Sequence, residues 1–499
     1  MRNTPVKVLI IILLTEVLLV GYSFFYSTCG NNFIKQHLRF MTPQALFYFP
    51  VKDNNELADS LLQNYLANTV SDDLILKRTS LSKIGPKKQN IFLVNPDIEN
   101  TPGGQGCKAL DNFFRSILEE KDTMVVRIAH YGDSQLEGDR MSYMVRDKFH
   151  EKFGGSGIGY VPLKDLTPVS YIRKSSGNWA KYTVFHDRNK GNNYGLSGTV
   201  CRFYKYYVRQ SEDVKPGDSA TVKDSQPVVP SIKYYNASVN LKMSSKYTYN
   251  TVSFLYGHNE ENCVVNFYDN VSGDVIKTDT LKPCEHVCLY RTQLGAYLNV
   301  KLEFSVDQSP DFYGLYFDSS KGVQVDNYAI RGHSGDGLML IGDAQLKEML
   351  ALTNTKLIIF QYGANVVPYI QSDKACEWLC DLYYKLFMKF KKADPELSIL
   401  VIGAGDMAHG GESGYSSYSW LPKITAAQKK AALKAGCAYW DLFNMMGGTN
   451  SIMAWSEKKL AVPNGHFSEK GQKIISNELV EALMIEYNIY IHKQRNNQQ

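Results

Sequence analysis

The sequence predicts a three-layer α/β domain with a parallel sheet, interrupted by an inserted antiparallel β-sandwich and carried on an N-terminal membrane anchor. Apolar strands alternate with amphipathic helices from residue 107 and again from residue 345, the pattern of a parallel sheet covered on both faces. Between these stretches the helical period disappears for roughly 150 residues, and strict period-two alternation takes its place. The chain opens on an apolar run preceded by basic residues.

The opening run spans residues 8–25 and is interrupted only by Thr15, Glu16, Gly21, Tyr22 and Ser23. Arg2 and Lys7 precede it and no basic residue falls inside it. Its length is close to the roughly 20 residues that cross a bilayer. Phe24, Phe25 and Tyr26 stand where a small-residue cleavage site would be needed. An uncleaved anchor with the body outside the cytoplasm is therefore the expectation for residues 1–29. The alternatives are a lipoprotein through Cys29, for which Tyr26-Ser27-Thr28 is a poor context, and a buried core helix.

Roughly 470 of the 499 residues follow, too many for one ordinary core. Residues 30–105 carry Pro43, Pro50, Pro86, Pro96 and Pro102 with a Gly103-Gly104 pair, and read as a stalk or N-terminal extension with a short helix over 56–66. Residues 106–168 form the first α/β portion: a helix over 110–118, a strand over 124–130, then the turn at Ser134 and a helix from Met141. Residues 169–321 form the sandwich. There Ala237, Val239, Leu241 and Met243 alternate with polar neighbours, as do Leu298, Val300, Leu302, Phe304 and Val306. Residues 322–492 resume the α/β pattern, with helices over 345–352, 374–391, 424–435 and 468–484 and strands over 356–361, 398–403 and 438–442.

With 55 basic against 50 acidic side chains, the formal charge of +5 is small for this length. Lys389, Lys391 and Lys392 end an amphipathic helix as a solvated face, so no nucleic-acid partner is expected. Nine cysteines include the pairs Cys376/Cys380 and Cys284/Cys288, the latter with His286 between. A zinc site needs a second ligand pair at matching spacing, and none follows. Buried thiols with one or two disulfides are expected, and neither metal nor cofactor.

The run Arg127-Ile-Ala-His-Tyr-Gly-Asp-Ser-Gln-Leu places Ser134 just past an apolar strand, with its hydroxyl exposed and helix-opening amides nearby. Downstream, Asn327-Tyr-Ala-Ile-Arg-Gly-His-Ser-Gly-Asp-Gly contains Gly335. The strand Lys356-Leu-Ile-Ile-Phe-Gln-Tyr-Gly-Ala-Asn runs into Asn365, and Asn464-Gly-His-Phe-Ser-Glu-Lys-Gly supplies His466 before the last helix. Read singly these are a capping serine, a turn glycine, a strand-end asparagine and a surface histidine. In this order the four blocks resemble the SGNH, or GDSL, hydrolase family, over about residues 106–168 and 322–488.

The resemblance implies a flavodoxin-like sheet, with Ser134 as nucleophile and His466 as general base. Gly335, Asn365 and the Ser134 amide would be the oxyanion donors. A serine needs a base within hydrogen-bond reach, and fixed donors for the tetrahedral oxyanion are worth roughly 3–4 kcal/mol each. In the family an aspartate usually stands three residues before the histidine. Here that position is Pro463. A backbone carbonyl, Asp406 or Asp441 are the candidate substitutes, and loss of the orienting carboxylate costs about 10⁴ in turnover when nothing replaces it.

An insert at this place looks like the peptidoglycan O-acetylesterases of Gram-negative bacteria, which carry a carbohydrate-module-like sandwich there. Ile402-Gly-Ala-Gly-Asp-Met-Ala and Trp440-Asp-Leu-Phe-Asn-Met-Met-Gly-Gly look like the same exported subgroup. The resemblance implies an esterase on the periplasmic side of the cell envelope. It would act on an O-acetylated cell-wall or capsular glycan and be held at the inner membrane by its N-terminal segment. One alternative is a membrane-anchored O-acyltransferase beside a multi-spanning partner, and another is a catalytically weak glycan-binding protein. Trp179, Tyr204, Tyr206, Tyr207, Tyr234 and Tyr235 are the aromatic candidates for sugar contact in the insert, although with so many tyrosines most read as packed strand residues rather than platforms.

Overall fold

The computed structural model describes residues 93–94, 108–166, 168–204, 236–295, 297–411 and 414–497. The apolar run 8–25, Cys29, the helix expected over 56–66 and Tyr206, Tyr207, Tyr234 and Tyr235 lie outside these residues. Among the described residues no helix is long and apolar enough to cross a membrane.

Residues ahead of the first α/β portion supply β1 (Leu93–Val94), and that portion supplies α1 (Asp111–Glu120), β2 (Val125–Gly132) and α2 (Ser142–Phe153). The strands β3 (Gly159–Val161), β4 (Tyr171–Ser175), β5 (Trp179–Thr183) and β6 (Thr199–Phe203) follow. Next come β7 (Ala237–Met243), β8 (Thr251–Gly257), β9 (Cys263–Asp269) and β10 (Val275–Leu281). Then come β11 (Cys288–Gln293), β12 (Asn299–Ser305) and β13 (Asp311–Asp318). The α/β pattern returns with β14 (Gly322–Ala329), α3 (Asp343–Thr353), β15 (Thr355–Gln361), α4 (Asp373–Ala393) and β16 (Ser398–Ile402). A hairpin of β17 (Ala408–Gly411) and β18 (Gly414–Ser417) leads to α5 (Leu421–Lys434), β19 (Ala438–Trp440), α6 (Leu442–Met446), α7 (Ser451–Glu457) and α8 (Glu469–Asn497).

The main sheet has the order β1-β19-β16-β15-β2-β14, with β1 antiparallel to β19 and all other pairs parallel. Taken in chain order, its parallel strands run 2-1-3-4-5, the flavodoxin-like order. Each central strand buries both faces. Val126, Ile128, Leu357 and Ile359 pack under α1, α2 and α8, while Ala129, Tyr131, Ile358 and Phe360 face α4, α5 and the insert. That is why these strands read as continuous apolar runs. Residues 93–94, within the stretch read as a stalk, form the edge strand.

The insert is a sandwich of two antiparallel sheets, β10-β9-β12-β7-β4 and β11-β8-β13-β6-β5. The strand β3 also pairs with β13, so residues before 169 join it. The alternation predicted for β7 and β12 is present, with inward Val239, Leu241, Val300, Leu302 and Phe304 fully buried. By contrast β8 and β13 are buried at every position. Their second face is covered by the α/β body: Leu255, Tyr313 and Tyr316 join the same cluster as Tyr131, Tyr328 and Phe360.

One expectation needs correction. Trp179 is not a sugar platform: only 1% of it is exposed, and it packs edge-on against Phe203, Phe304 and Phe312. The helix after the nucleophile turn begins at Ser142, within one residue of the expected Met141, after Gly138 and Asp139 have adopted positive φ. Tyr204 remains exposed, its hydroxyl bonded to that of Tyr182. Cys284 and Cys288 form a disulfide, while Cys376 and Cys380 are buried free thiols.

At the seam between body and insert, Arg127 of β2 is fully enclosed. Its guanidinium donates to Asp318 at the end of β13 and, at 3.1 Å, to both oxygens of Asp326 in β14. The Tyr316 ring lies 4.5 Å from the guanidinium carbon, and the Tyr160 amide donates to Asp326 at 2.9 Å. Removing the cation leaves two carboxylates buried without it. Arg127→Ala is therefore expected to lower stability by about 3–5 kcal/mol in urea titrations of the full chain. A loss under 1 kcal/mol would show the cluster to be solvated.

Candidate active site

The sheet order puts β2 and β15 side by side, so the turns after their carboxyl ends meet at the position where ligands bind in such sheets. Ser134 follows β2. The Asp133 carboxylate accepts the Gln135 amide at 2.9 Å and its carbonyl accepts Leu136 N–H at 3.1 Å, forming a tight turn that lifts Ser134 out of the strand. Arg140 locks the same turn, donating through Nη2 to the Ser134 carbonyl (2.8 Å) and through Nε to that of Glu137 (2.6 Å).

His466 arrives from a second turn before α8. Gly465 has φ +90°, and a Cβ there would come within 2.9 Å of Met407, so the position is reserved for glycine. The Gln135 side chain joins the two turns: it donates to the Gly465 carbonyl at 2.7 Å and accepts Phe467 N–H at 3.3 Å. Ser134 Oγ consequently lies 2.8 Å from His466 Nε2.

The group that orients His466 is Asn464. Its Oδ1 lies 3.0 Å from His466 Nδ1 and also accepts the His466 backbone N–H at 3.2 Å. A backbone N–H can only donate, so the amide oxygen must face the ring and Nδ1 carries the proton. Nε2 is then left with its lone pair toward Ser134, the tautomer a general base requires. Neither Asp406 nor Asp441 is bonded to His466. Asp406 is buried and accepts Ser417 Oγ (2.8 Å) and Ile452 N–H (2.9 Å), and Asp441 caps α6 through the Asn444 amide (3.0 Å). A backbone carbonyl does not fill the place either.

Gly335 opens a short 3₁₀ helix, Asp336–Leu340, with φ +92°, and a Cβ there would press on Tyr362 at 3.0 Å. Among the described residues neither the Gly335 nor the Ser134 backbone N–H has a protein acceptor. Asn365 donates through Nδ2 to Asp133 at 2.8 Å and to the His333 carbonyl at 3.0 Å, so it braces the site with both amide protons. Ser134 and His466 are thus brought into contact, and Asn365 is tied to the Ser134 turn through Asp133.

Burial lowers the His466 pKa from its usual value, and Arg140 and Arg331 push it further down against Glu137. Burial also raises Asp133 to about 6, over the effect of its hydrogen bonds. His130, the other histidine near the nucleophile, is held at about 4 by burial. Its rings of partners are Gln361 (3.0 Å) and Ser142 (3.1 Å), and it takes no part in the site. A cleft of about 430 Å³ borders the site, between Lys164, Lys181 and His186 of the segment 164–187 and Glu137, Ile330 and Arg331 of the body.

Asn464, Gln135, Asp133, Arg140 and His333 escaped the sequence reading. Only Asn464 left a local signal, since an asparagine two residues before a histidine can bond its amide.

No family model matches the chain, and no curated protein matches it in sequence. Among solved structures, a peptidoglycan O-acetylesterase superposes over 79% of this chain and 99% of its own, with a TM-score of 0.59 at 18% identity. The chain therefore shares the fold of that esterase, an α/β body with an inserted sandwich. A family two carbohydrate esterase from Clostridium thermocellum matches 51% of this chain and 93% of its own at 10% identity, with a TM-score of 0.26. A putative GDSL-like lipase from Parabacteroides merdae matches 33% and 74%, at 14% identity and a TM-score of 0.25.

Two outcomes are expected. Arg331→Gln removes a cation that disfavours imidazolium, so the acid limb of the kcat/KM profile moves to higher pH; an unmoved limb refutes the coupling. Because Asp133 is raised from 3.8 to about 6 on folding, its contribution to stability is full below pH ~4 and declines as pH rises to ~6, by on the order of 3 kcal/mol. Asp133→Asn should flatten that slope in unfolding titrations between those pH values.

Proposed function

We propose that this chain is a serine esterase that removes O-acetyl groups from a cell-envelope polysaccharide such as peptidoglycan, on the periplasmic side of the membrane. The contact of Ser134 Oγ with His466 Nε2 at 2.8 Å, in the tautomer set by Asn464, carries this reading. Ser134 Oγ attacks the acetyl carbonyl as its proton passes to Nε2. The oxyanion is met by the Ser134 and Gly335 amides, with Asn365 alongside. The C–O bond to the sugar then breaks, Nε2–H protonates the departing oxygen, and acetyl-Ser134 remains. Water, deprotonated by His466, releases acetate and restores the serine.

The glycan and the exported location are supported by the fold shared with a peptidoglycan O-acetylesterase and by the anchor-like run at residues 8–25. An O-acyltransferase beside a multi-spanning partner would use the same acyl-serine. The solvent exposure of Asn464 and the partial exposure of Ser134 and His466 favour water as the acceptor. A glycan binder without activity was motivated by the missing aspartate, and Asn464 now supplies the orienting group.

The full-length protein is expected to hydrolyse p-nitrophenyl acetate and to release acetate from O-acetylated peptidoglycan, and to lose both with Ser134→Ala or His466→Ala. Asn464→Ala should lower kcat by roughly 10²–10⁴, since the ring loses its tautomer control. Asn464→Asp should keep most of the activity and move the acid limb upward, because an anion beside Nδ1 favours imidazolium. Hydrolysis that survives Ser134→Ala would refute the mechanism.

A further inference from the structure

His333 lies two residues before Gly335 and is completely buried. Its Nε2 accepts the Gly337 N–H at 3.0 Å, on the short helix that Gly335 opens, and its carbonyl accepts Asn365 Nδ2 at 3.0 Å. One residue thus supports the turn of the proposed oxyanion donor Gly335 and takes one amide proton of Asn365, whose other proton braces Asp133. Because Nε2 accepts a hydrogen bond, the ring is neutral with its proton on Nδ1. Burial lowers its pKa to about 4, so it stays neutral through the physiological range.

The ring is held from the insert. Phe185, on the turn after β5, lies 5.5 Å from it with the rings tilted by 44°, and Tyr362 meets it edge-on at 5.5 Å. Val184 packs on the same loop: a Cβ on Gly337 would meet both the Val184 carbonyl and His333 Nε2 at 2.7 Å. The turn is itself fixed, with Thr183 Oγ1 donating to the His186 carbonyl (2.7 Å) and accepting the His186 amide (2.7 Å). This turn of the insert thus packs directly on the residue that supports the Gly335 turn.

We propose that His333 is a positioning residue for the Gly335 amide and for the Asn365 side chain that braces the Ser134 turn, and that the Phe185 turn of the inserted sandwich clamps it, so the insert is part of the machinery for turnover. This rests on the serine esterase reading above. It assigns the insert a role that is independent of glycan binding and shows on the smallest ester.

The test is steady-state kinetics of full-length protein on p-nitrophenyl acetate, with a fluorophosphonate label reporting Ser134 and thermal unfolding run in parallel. His333→Ala should lower kcat roughly 10²-fold, the cost of one lost oxyanion donor, with KM changed less than about threefold. His333→Gln, whose side-chain oxygen can accept Gly337 N–H where Nε2 did, should recover at least about tenfold of that loss. Phe185→Ala should also lower kcat on this substrate, although Phe185 belongs to the insert. His333→Ala or Phe185→Ala at wild-type kcat would overturn the proposal, as would equal losses in His333→Ala and His333→Gln that simply follow unfolding. A wild-type protein silent toward both ester and label would instead overturn the esterase reading, and the proposal with it.

Discussion

The buried Arg127 cluster is the constraint on which the rest of the structure depends. A guanidinium inside a sheet is tolerated only with its charge matched and its donors satisfied. Asp318 and Asp326 provide that match, and they lie in β13 of the sandwich and β14 of the parallel sheet. One residue of β2 therefore holds in register the last strand of the insert and the first strand after it. Ser134 is seven residues further along the same β2 strand and its turn. The position of the nucleophile and the docking of the insert are set by one electrostatic condition.

The second constraint is a neutral orienting group. An aspartate beside the base fixes its tautomer and also stabilises the imidazolium that forms during attack. Asn464 does the first through its amide oxygen, locked by the His466 backbone N–H, and contributes no charge toward the second. Arg140 and Arg331 act in the same direction, keeping His466 neutral at rest. The arrangement yields a base that is ready at lower pH, at the cost of a less stabilised imidazolium.

The insert is continuous with the body. The two strands β8 and β13 are buried on both faces, and the cluster linking Tyr131, Tyr160, Tyr316 and Tyr328 passes from one unit of fold to the other. Tyrosines suit such a seam because their rings fill it while their hydroxyls pair, as Tyr316 with Tyr328 at 3.1 Å and Tyr160 with Ser197 at 2.9 Å. Tyr131, Tyr160, Tyr316 and Tyr328 are packed in this way, in keeping with the reading of most tyrosines as packed strand residues.

The sequence by itself determined what is local. Strand and helix periods place the predicted α/β elements to within a few residues, because each depends on which neighbours in the chain share a face, except that α8 runs on to Asn497 beyond the expected end at 484. The order of the four blocks pointed to the serine, glycine, asparagine and histidine through a family resemblance, since each block is a short turn with its own signature. Pairing across long separations was decided only by the tertiary structure. Ser134 meets His466 across 332 residues, and Arg127 meets Asp318 across 191. The partner of His466 was left open among a backbone carbonyl, Asp406 and Asp441, and the direction of a turn brings Asn464 there instead. Whether Trp179 meets a ligand or a core is likewise set by which face of β5 the second sheet covers. Periodicity along one strand carries no information about what lies against it, and that is the physical reason the site had to be read from the fold.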